Sequence, residues 1–524
     1  MLKQIDLVLS PFDAQKTDNY TEYASKILKI SKNRISYIKL VKHSIDARQR
    51  DIKVQLRFVV VIDEPNYKPE KIIFDPKNIT NSKEVAIIGA GPAGLFAALR
   101  LIELGLKPII FERGQDVLQR KRDIATMYKN NKININSNYC YGEGGAGTFS
   151  DGKLYTRSSK RGNVNRILEL FYLHGANENI LYEAHPHIGS DKLPKVIENI
   201  RNRIIEAGGI FHFNTQVVDI IIVKGKIKGL KLSNGSIFKT TNLVLSSGHS
   251  AKDVYKMLAS KNILLESKDF AMGVRIENPQ EIINKIQYHN YPKIELLPAA
   301  TYNIIQQVNG KGVYSFCMCP GGVIVPASTS ENEIVVNGMS ASKRNSGFAN
   351  SGFVCEIKNE DLTEFKKFGV FAGLEFQSHL EQLAFNNGGG GLMAPAQRIL
   401  DFIQKKKSSD LPISSYISGT HSSEMHNWLP KFMSENISKA LQIYGQREKD
   451  FINENAIMIG VESRTSSPIR IPRNRETFEH VEIKGLYPCG EGAGYAGGIV
   501  SSAIDGMNVA QSIAKTKINN RCNA

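Results

Sequence analysis

Two glycine-rich stretches, far apart in the chain, carry residue types suited to holding a nucleotide. The first is IIGAGPAG, residues 87–94, in which Gly89, Gly91 and Gly94 form GxGxxG. Its context gives the pattern weight, because a buried-strand run precedes it and an amphipathic helix pattern follows. Gly89 permits a tight turn. Gly91 lets the backbone approach a pyrophosphate without a Cβ in the way, and Gly94 lets the helix lie close on the strand. The pyrophosphate then sits on the helix N-terminus, where free N–H groups and the dipole favour negative charge. Glu112 closes the next strand run, eighteen residues after Gly94, where its carboxylate can accept both ribose hydroxyls. An acid there disfavours a 2′-phosphate, so the expected nucleotide is FAD or NAD and not NADP. A glycine turn without a ligand is the bland alternative, and strand, helix and acid together argue against it.

The second stretch, YPCGEGAGYAGGI at 487–499, decides between the two nucleotides. FAD extends well past its pyrophosphate and needs a second set of contacts, for which NAD has no use. Here a strand run leads into a loop carrying Glu491 and then into a helix pattern. Glu491 can bind ribityl hydroxyls or reach the pyrophosphate through water. Gly497 and Gly498 let a second helix N-terminus approach the flavin pyrimidine edge and favour negative charge there.

Flavin carries the redox chemistry itself, so the protein's part is position and electrostatics. Cys317 and Cys319, in FCMCPGG, could relay electrons or attack a substrate. The favoured reading is two buried structural thiols on opposite faces of a strand, where a direct disulfide is strained. His187, in HPHIGSDKL, fits a proton donor working near neutral pH or a histidine that orients a loop. Lys153 and Arg157, in and after GEGGAGTFSDGK, fit an anionic substrate or flavin O2, or a structural turn. NNGGGGLMAPAQR (386–398) follows a helical pattern and is no second nucleotide fingerprint, although it suits a flexible active-site wall. With no second GxGxxG between strand and helix, a dedicated NAD(P)H domain is not expected. Electrons then come from NAD(P)H docking transiently, from the substrate, or from a protein donor. No cysteine or histidine spacing suggests a metal site.

The elements that must position these residues fall into four stretches. Residues 1–80 read as strand–helix–strand–strand, a small α+β accessory module followed by a polar linker, DPKNITNSK. Residues 81–268 open with a βαβ unit and form the first part of an FAD-binding domain. Residues 269–455 begin with strand patterns and become mostly helical from 371 to 447, as an inserted mixed α+β substrate domain. Residues 456–524 return to the FAD-binding domain. The expected class is α/β, a Rossmann-type domain with an insertion.

VAIIGAGPAGLFAALRL…FERG with the late GLYPCGEGAGYAGGI resembles the glutathione-reductase-type flavoproteins. More closely, the chain resembles a bacterial family of uncharacterised FAD-dependent dehydrogenases described as geranylgeranyl-reductase-like. The segments that carry this are YGEGGAGTFSDGKL, HIGSDKL, SSGHSAKDV, FAMGVRIENPQ, GVYSFCMCPGG, APAQRILDF and VESRTSSPIRI, and they span essentially the whole chain. The resemblance implies bound FAD and leaves the substrate open. It implies that Gly89, Gly91, Pro92, Ala93, Gly94, Glu112 and Arg113 contact the ADP half. Val217 would touch adenine through its main chain, and Gly248 would lie near the cofactor, with Ser247 where threonine is usual. Glu491, Gly498 and Ile499 would face the ribityl and flavin end.

Composition excludes little beyond this. The 524 residues are 41% hydrophobic and 23% charged, as in an ordinary soluble protein, and no signal or membrane-spanning pattern is read, so a cytoplasmic location is expected. Six cysteines in this length make no disulfide framework. The net charge of +16 allows an acidic partner, and residues 26–57 hold ten Lys or Arg against two acids. A solvated face explains that cluster best. The rival to an FAD-dependent oxidoreductase acting on a small molecule is therefore an RNA-modifying or nucleic-acid-associated flavoprotein. A non-catalytic, flavin-stabilised scaffold is the third class.

Overall fold

The computed structural model describes residues 1–156 and 159–522. Five short strands lie parallel in the order Leu486–Pro488, Leu243–Leu245, Glu84–Ile88, Lys107–Phe111 and Ile210–His212. Val85, Ala86 and Ile87 are fully buried, the unbroken apolar run that a parallel strand covered on both faces requires. The helices Pro92–Glu103, Leu193–Glu206 and Ile499–Cys522 cover one face. An antiparallel meander, Val217–Val223, Lys226–Leu232 and Ile237–Lys239, covers the other, with Phe238 edge-on to Phe111 at 5.1 Å. This is the Rossmann-type α/β arrangement expected from the sequence.

From Glu84–Ile88 the chain builds outward on one side through Lys107–Phe111 and Ile210–His212. It then restarts on the other side with Leu243–Leu245. Where strand order reverses, the carboxyl ends of adjacent strands leave a crevice suited to ligands. Gly89 and Ser246 follow the two ends that border it. Residues 486–522 complete this sheet and its helical layer, although the chain between 270 and 462 contributes to a different sheet.

That second sheet has seven strands in the order Ile305–Val308, Lys311–Cys319, Phe348–Ile357, Phe270–Pro279, Ile457–Glu462, Ala394–Arg398 and Thr420–Ser422. The helices Ala372–Asn386 and Lys431–Arg447 pack on its apolar core. The stretch from 371 to 447 is thus less helical than its pattern suggests. Ala394–Arg398 is a strand because Ile457–Glu462 pairs with it, a tertiary contact that five residues without alternation do not advertise.

The N-terminal strands Leu2–Leu9, Lys53–Ile62 and Ile35–Asp46 form a separate antiparallel sheet with the middle one central, backed by the helix Tyr20–Leu28. It meets the body where the His43 N–H donates to the Tyr182 carbonyl at 2.8 Å and His43 Nδ1 lies 2.9 Å from Glu183 Oε2. Among the described residues, no helix is long and apolar enough to cross a membrane.

The closing helix Ile499–Cys522 lies tightly on Pro92–Glu103, since a Cβ on Gly506 would stand 2.1 Å from the Ala93 carbonyl O. Gly506→Val is expected to cost about 1–3 kcal/mol by forcing the two helices apart. A thermal-unfolding midpoint equal to wild type would show that the pair has slack.

Candidate functional site

A cavity of about 360 Å³ opens at the reversal of strand order, between the parallel sheet and the second sheet. Both glycine-rich loops reach it. Of the sequence-predicted residues, Gly89, Gly91, Pro92, Ala93, Glu112, Arg113, Val217, Gly248, Glu491, Gly498 and Ile499 line it. Gly94 lies beneath, where a Cβ would stand 2.0 Å from the Gly89 carbonyl O. Gly89 itself has φ +97°, and a Cβ there would lie 2.4 Å from the Ser246 carbonyl O. The tight turn and the close helix are therefore demanded by the protein's own backbone.

Glu112 is buried and its carboxylate is heavily used. Oε2 accepts the Ala90 N–H at 2.9 Å, and Oε1 accepts the N–H groups of Gly114 at 2.9 Å and Gly142 at 3.0 Å. Arg113 is held by an ion pair with Asp253 and lies 4.4 Å from the centre of the Tyr141 ring. Gln216 donates to the same Asp253 at 2.9 Å, so Asp253 gathers the wall beside Val217.

The late loop is shaped from behind. Asp505 accepts the Gly490 N–H at 2.7 Å and pairs with Arg473 at 2.9 Å. Tyr255 donates its hydroxyl to the Gly492 carbonyl at 2.7 Å. Glu491 then faces the cavity with no hydrogen bond to its carboxyl among the described residues. Burial, with the Cys317 thiolate as a lesser influence, pushes it up to about 8, against the pull of Lys268. A Cβ at Gly497, Gly498 or Gly248 would meet no protein atom within 4 Å.

Of the candidates for chemistry, Lys153 and Cys317 line the cavity; Cys319 and His187 do not. His187 Nε2 lies 3.1 Å from the Ser342 carbonyl O, and its backbone bridges to Lys153. It orients the loop that presents Lys153 and does not line the cavity. The expectation that the two cysteines face opposite ways is also corrected. Residues two apart on a regular strand share a face, and here, across a bulge, the Cys319 thiol donates to the Cys317 carbonyl O at 3.3 Å. Arg157 lies outside the described residues. Residues 386–398 pack elsewhere, with Leu392 donating to Asn131 at 2.9 Å, and are not a wall of this cavity.

Sequence reasoning passed over three lining residues. Tyr141, stacked under Arg113, stands in the quoted YGEGG stretch. His249, beside Gly248, is held down to about 4 by burial and by Arg464, and so is neutral. Arg464, in VESRTSSP, is buried with Lys252, Glu333 and Glu381, two cations against two acids, and its Nε donates to Glu381 Oε1 at 3.1 Å. Only proximity across distant segments marks these residues, and a single sequence does not carry that.

An uncharacterized protein of Clostridium beijerinckii is 41% identical over 510 residues, covering 93% of this chain and 94% of the relative. Residues 269–465 match the family described as FAD-dependent protein, C-terminal domain-like, and residues 1–61 match a domain of unknown function. The chain belongs to the bacterial family of FAD-dependent proteins that its motifs resemble. A tRNA uridine 5-carboxymethylaminomethyl modification enzyme from Finegoldia magna is 27% identical over 187 residues, 34% of this chain and 26% of that protein. A geranylgeranyl bacteriochlorophyll reductase-like protein from Thermoplasma acidophilum aligns over 84% of this chain and 80% of its own at 14% identity, with a TM-score of 0.35. Likeness at that level carries no argument about activity.

The cavity of this FAD-dependent protein fits its cofactor. Two helix starts, at Gly91–Pro92 and Gly498–Ile499, line it, and the first-turn N–H groups of a helix have no partner within that helix. Gly497 is without a side chain where no protein atom forbids one, which leaves room for a ligand.

Burial raises the Glu491 carboxyl to about 8, whereas an unperturbed glutamate ionises near 4.5. Between those values the folded state binds the extra proton, so this group's contribution to stability is lost as pH rises. Glu491→Gln is expected to flatten the fall in unfolding midpoint from pH 4.5 to 8. Parallel curves for variant and wild type would mean that the carboxyl is already ionised.

Proposed function

We propose that this FAD-dependent protein is an oxidoreductase, transferring a hydride between its flavin and an organic substrate bound in the same cavity. The observation that carries the reading is the meeting of two glycine-rich helix starts and the Glu112 carboxylate around one ligand-sized space. Glu112 and the helix start at Gly91–Ala93 would hold the ADP half, with Arg113, Val217 and Gly248 along its flank. The helix start at Gly498–Ile499 and Glu491 would hold the flavin end. Bound FAD would supply two-electron chemistry.

The chain's own groups set the terms for a substrate. Lys153 offers positive charge at the cavity wall, suiting an anionic or strongly polar group, whereas Arg464 lines the same cavity with its charge already met by Glu381. Glu491 holds a proton at its carboxyl through neutral pH, and His249 offers a neutral imidazole. The four-part division drawn from the sequence suits this role. Residues 81–268 and 456–524 would form the cofactor domain, 269–455 the substrate domain and 1–80 an accessory module. NAD(P)H docking transiently in the open cavity is the electron source we favour.

An RNA-modifying role draws support from the partial match to the tRNA-modifying enzyme. Against it, much of the basic 26–57 segment is engaged in ion pairs. Lys26 and Lys32 pair with Glu22, Arg34 with Asp63, Arg48 with Asp46, Lys53 with Asp51 and Arg57 with Asp6. Charges neutralised in this way release few counterions on binding a phosphate backbone.

The test is the visible spectrum of the purified protein, recorded alone and then anaerobically with NADH and with NADPH. A flavin spectrum that bleaches with one nucleotide is expected. Glu112→Ala should lose most of the flavin, because it leaves three backbone N–H groups without their acceptor at about 1–3 kcal/mol each. No flavin in the wild type, even after FAD is added, would overturn the reading.

A further inference from the structure

The strand Lys311–Cys319 carries two thiols that cofactor binding does not use. Its pairing with Phe348–Ile357 runs in register to Phe316 opposite Gly352 and resumes at Cys319 opposite Asn350. One extra residue is thereby pushed out of the ladder, and such a bulge re-aims a side chain. Cys317 adopts φ +46°, a left-handed conformation uncommon for a residue with a Cβ. The result is an unequal pair, with Cys317 at the cavity wall and Cys319 buried behind it.

The surroundings hold this geometry in place. Arg275, fully buried on the central strand, donates to the Cys317 carbonyl at 2.8 Å and to Cys319 Sγ at 3.4 Å. The other arm of the same guanidinium pairs with Glu462 at 2.8 Å. Cys319 Sγ also sits 3.3 Å from the Cys317 carbonyl O. Both thiols are free. Two purely structural thiols would need neither the bulge nor a left-handed residue at the edge of a ligand cavity.

We propose that Cys317 and Cys319 are a dithiol–disulfide couple that exchanges with a small disulfide substrate in the cavity. The Cys317 thiolate attacks one sulfur of the substrate RSSR. The substrate S–S bond breaks, RS⁻ leaves, and Cys317 carries the other half as a mixed disulfide. Cys319 gives its proton to the departing RS⁻ and attacks the Cys317 sulfur, which expels the second RS⁻ for solvent to protonate. The protein loses two electrons and closes a Cys317–Cys319 bond; the substrate gains both electrons and leaves as two thiols. The same steps run backwards from two thiols. A disulfide across one intervening residue makes a small, strained ring, and strained disulfides are the readily reduced ones.

The charges divide the two roles. Hydrogen bonding from Cys319 holds Cys317 below the ordinary thiol range although burial opposes it; Lys153 and Arg275 assist, and Asp151 works against them. The Cys317 thiolate in turn adds to the burial that raises the Glu491 and Glu462 carboxyls, which keeps their negative charge away from it. Cys319 is pushed up by the same hydrogen bond and by burial. Cys317 is therefore the nucleophile and Cys319 the resolving thiol.

This deepens the oxidoreductase reading and rests on it for the role of the cavity, but the thiol chemistry is measured without reference to flavin. The purified full-length protein is incubated with 2-hydroxyethyl disulfide, denatured and alkylated, and the peptide containing both cysteines is weighed by mass spectrometry. The expected peptide lacks two hydrogens and carries no alkyl group. Cys319→Ser should stop at the first step with mercaptoethanol on Cys317, and Cys317→Ser should leave Cys319 free. A wild-type peptide that is alkylated twice after saturating disulfide, from protein that is still folded, would sink the proposal. So would a Cys317→Ser protein in which Cys319 reacts as fast as wild type. If Cys319→Ser does not fold, the wild-type peptide still decides. A protein that retains flavin but forms no couple fails here only, and one that forms the couple without flavin overturns only the cofactor reading.

Discussion

The structure depends on one buried carboxylate. Glu112 ends a parallel strand and gathers N–H groups from Ala90, Gly114 and Gly142, which belong to three separate turns of chain. None of those turns is helical or part of a sheet ladder, so each would otherwise bury an unsatisfied donor. Glu112 supplies the acceptors and so fixes the first glycine loop relative to the loop that follows Tyr141. Oε1 is filled by two of these N–H groups and Oε2 takes one, so the carboxylate can brace the loops and keep one acceptor site on Oε2 open toward the cavity. This end of the cavity is thereby shaped by the chain's own hydrogen bonds.

The opposite wall rests on buried guanidinium groups. Arg275 stitches the strand Lys311–Cys319 to Asn350 and Glu462. Arg464 is locked among Glu381, Glu333 and Thr329, with Lys252 reaching in from the helix after Gly248. Buried charges of this kind are tolerated only when paired and hydrogen-bonded. Lys252 belongs to the nucleotide side and Glu381 to the second sheet's covering helix, so the pairing also ties the two sides of the cavity together.

What the sequence showed and what it hid have physical reasons. GxGxxG was legible because local backbone geometry restricts it: Gly89 turns with a positive φ, and a Cβ at Gly94 collides with the Gly89 carbonyl O of the same loop. Glu112 and the late loop were legible by their places after strand runs. The Rossmann-type α/β class followed from the strand–helix periodicity around them. The strand Ala394–Arg398 was not legible, since only its partner makes it a strand. The relation of Cys317 to Cys319 was misread against the strand period, since residues two apart share a face; the bulge that re-aims Cys317 is set by the facing strand and leaves no local mark. His187 looked like an acid–base residue by type, yet its ring bonds to a main-chain carbonyl of a segment remote in sequence. Arg464 and His249 stood inside recognisable motifs, and their meeting at the cavity comes from the approach of the two sheets.

The closing of the parallel sheet has a consequence for how the protein comes into being. The strand Leu486–Pro488 and the helix Ile499–Cys522 join a layer whose centre, Glu84–Ile88, is made hundreds of residues earlier. During synthesis the first glycine loop and Glu112 emerge early, while Leu243–Leu245 waits with one edge unpaired. The intervening seven-stranded sheet can fold in that interval and draw the two ends of its own segment together, which shortens the loop that must be closed. Long-range pairings of this kind are slow and leave an edge open to wrong partners. The cavity bordered by the first glycine loop therefore gains its second glycine-rich wall only when the last strand joins the sheet.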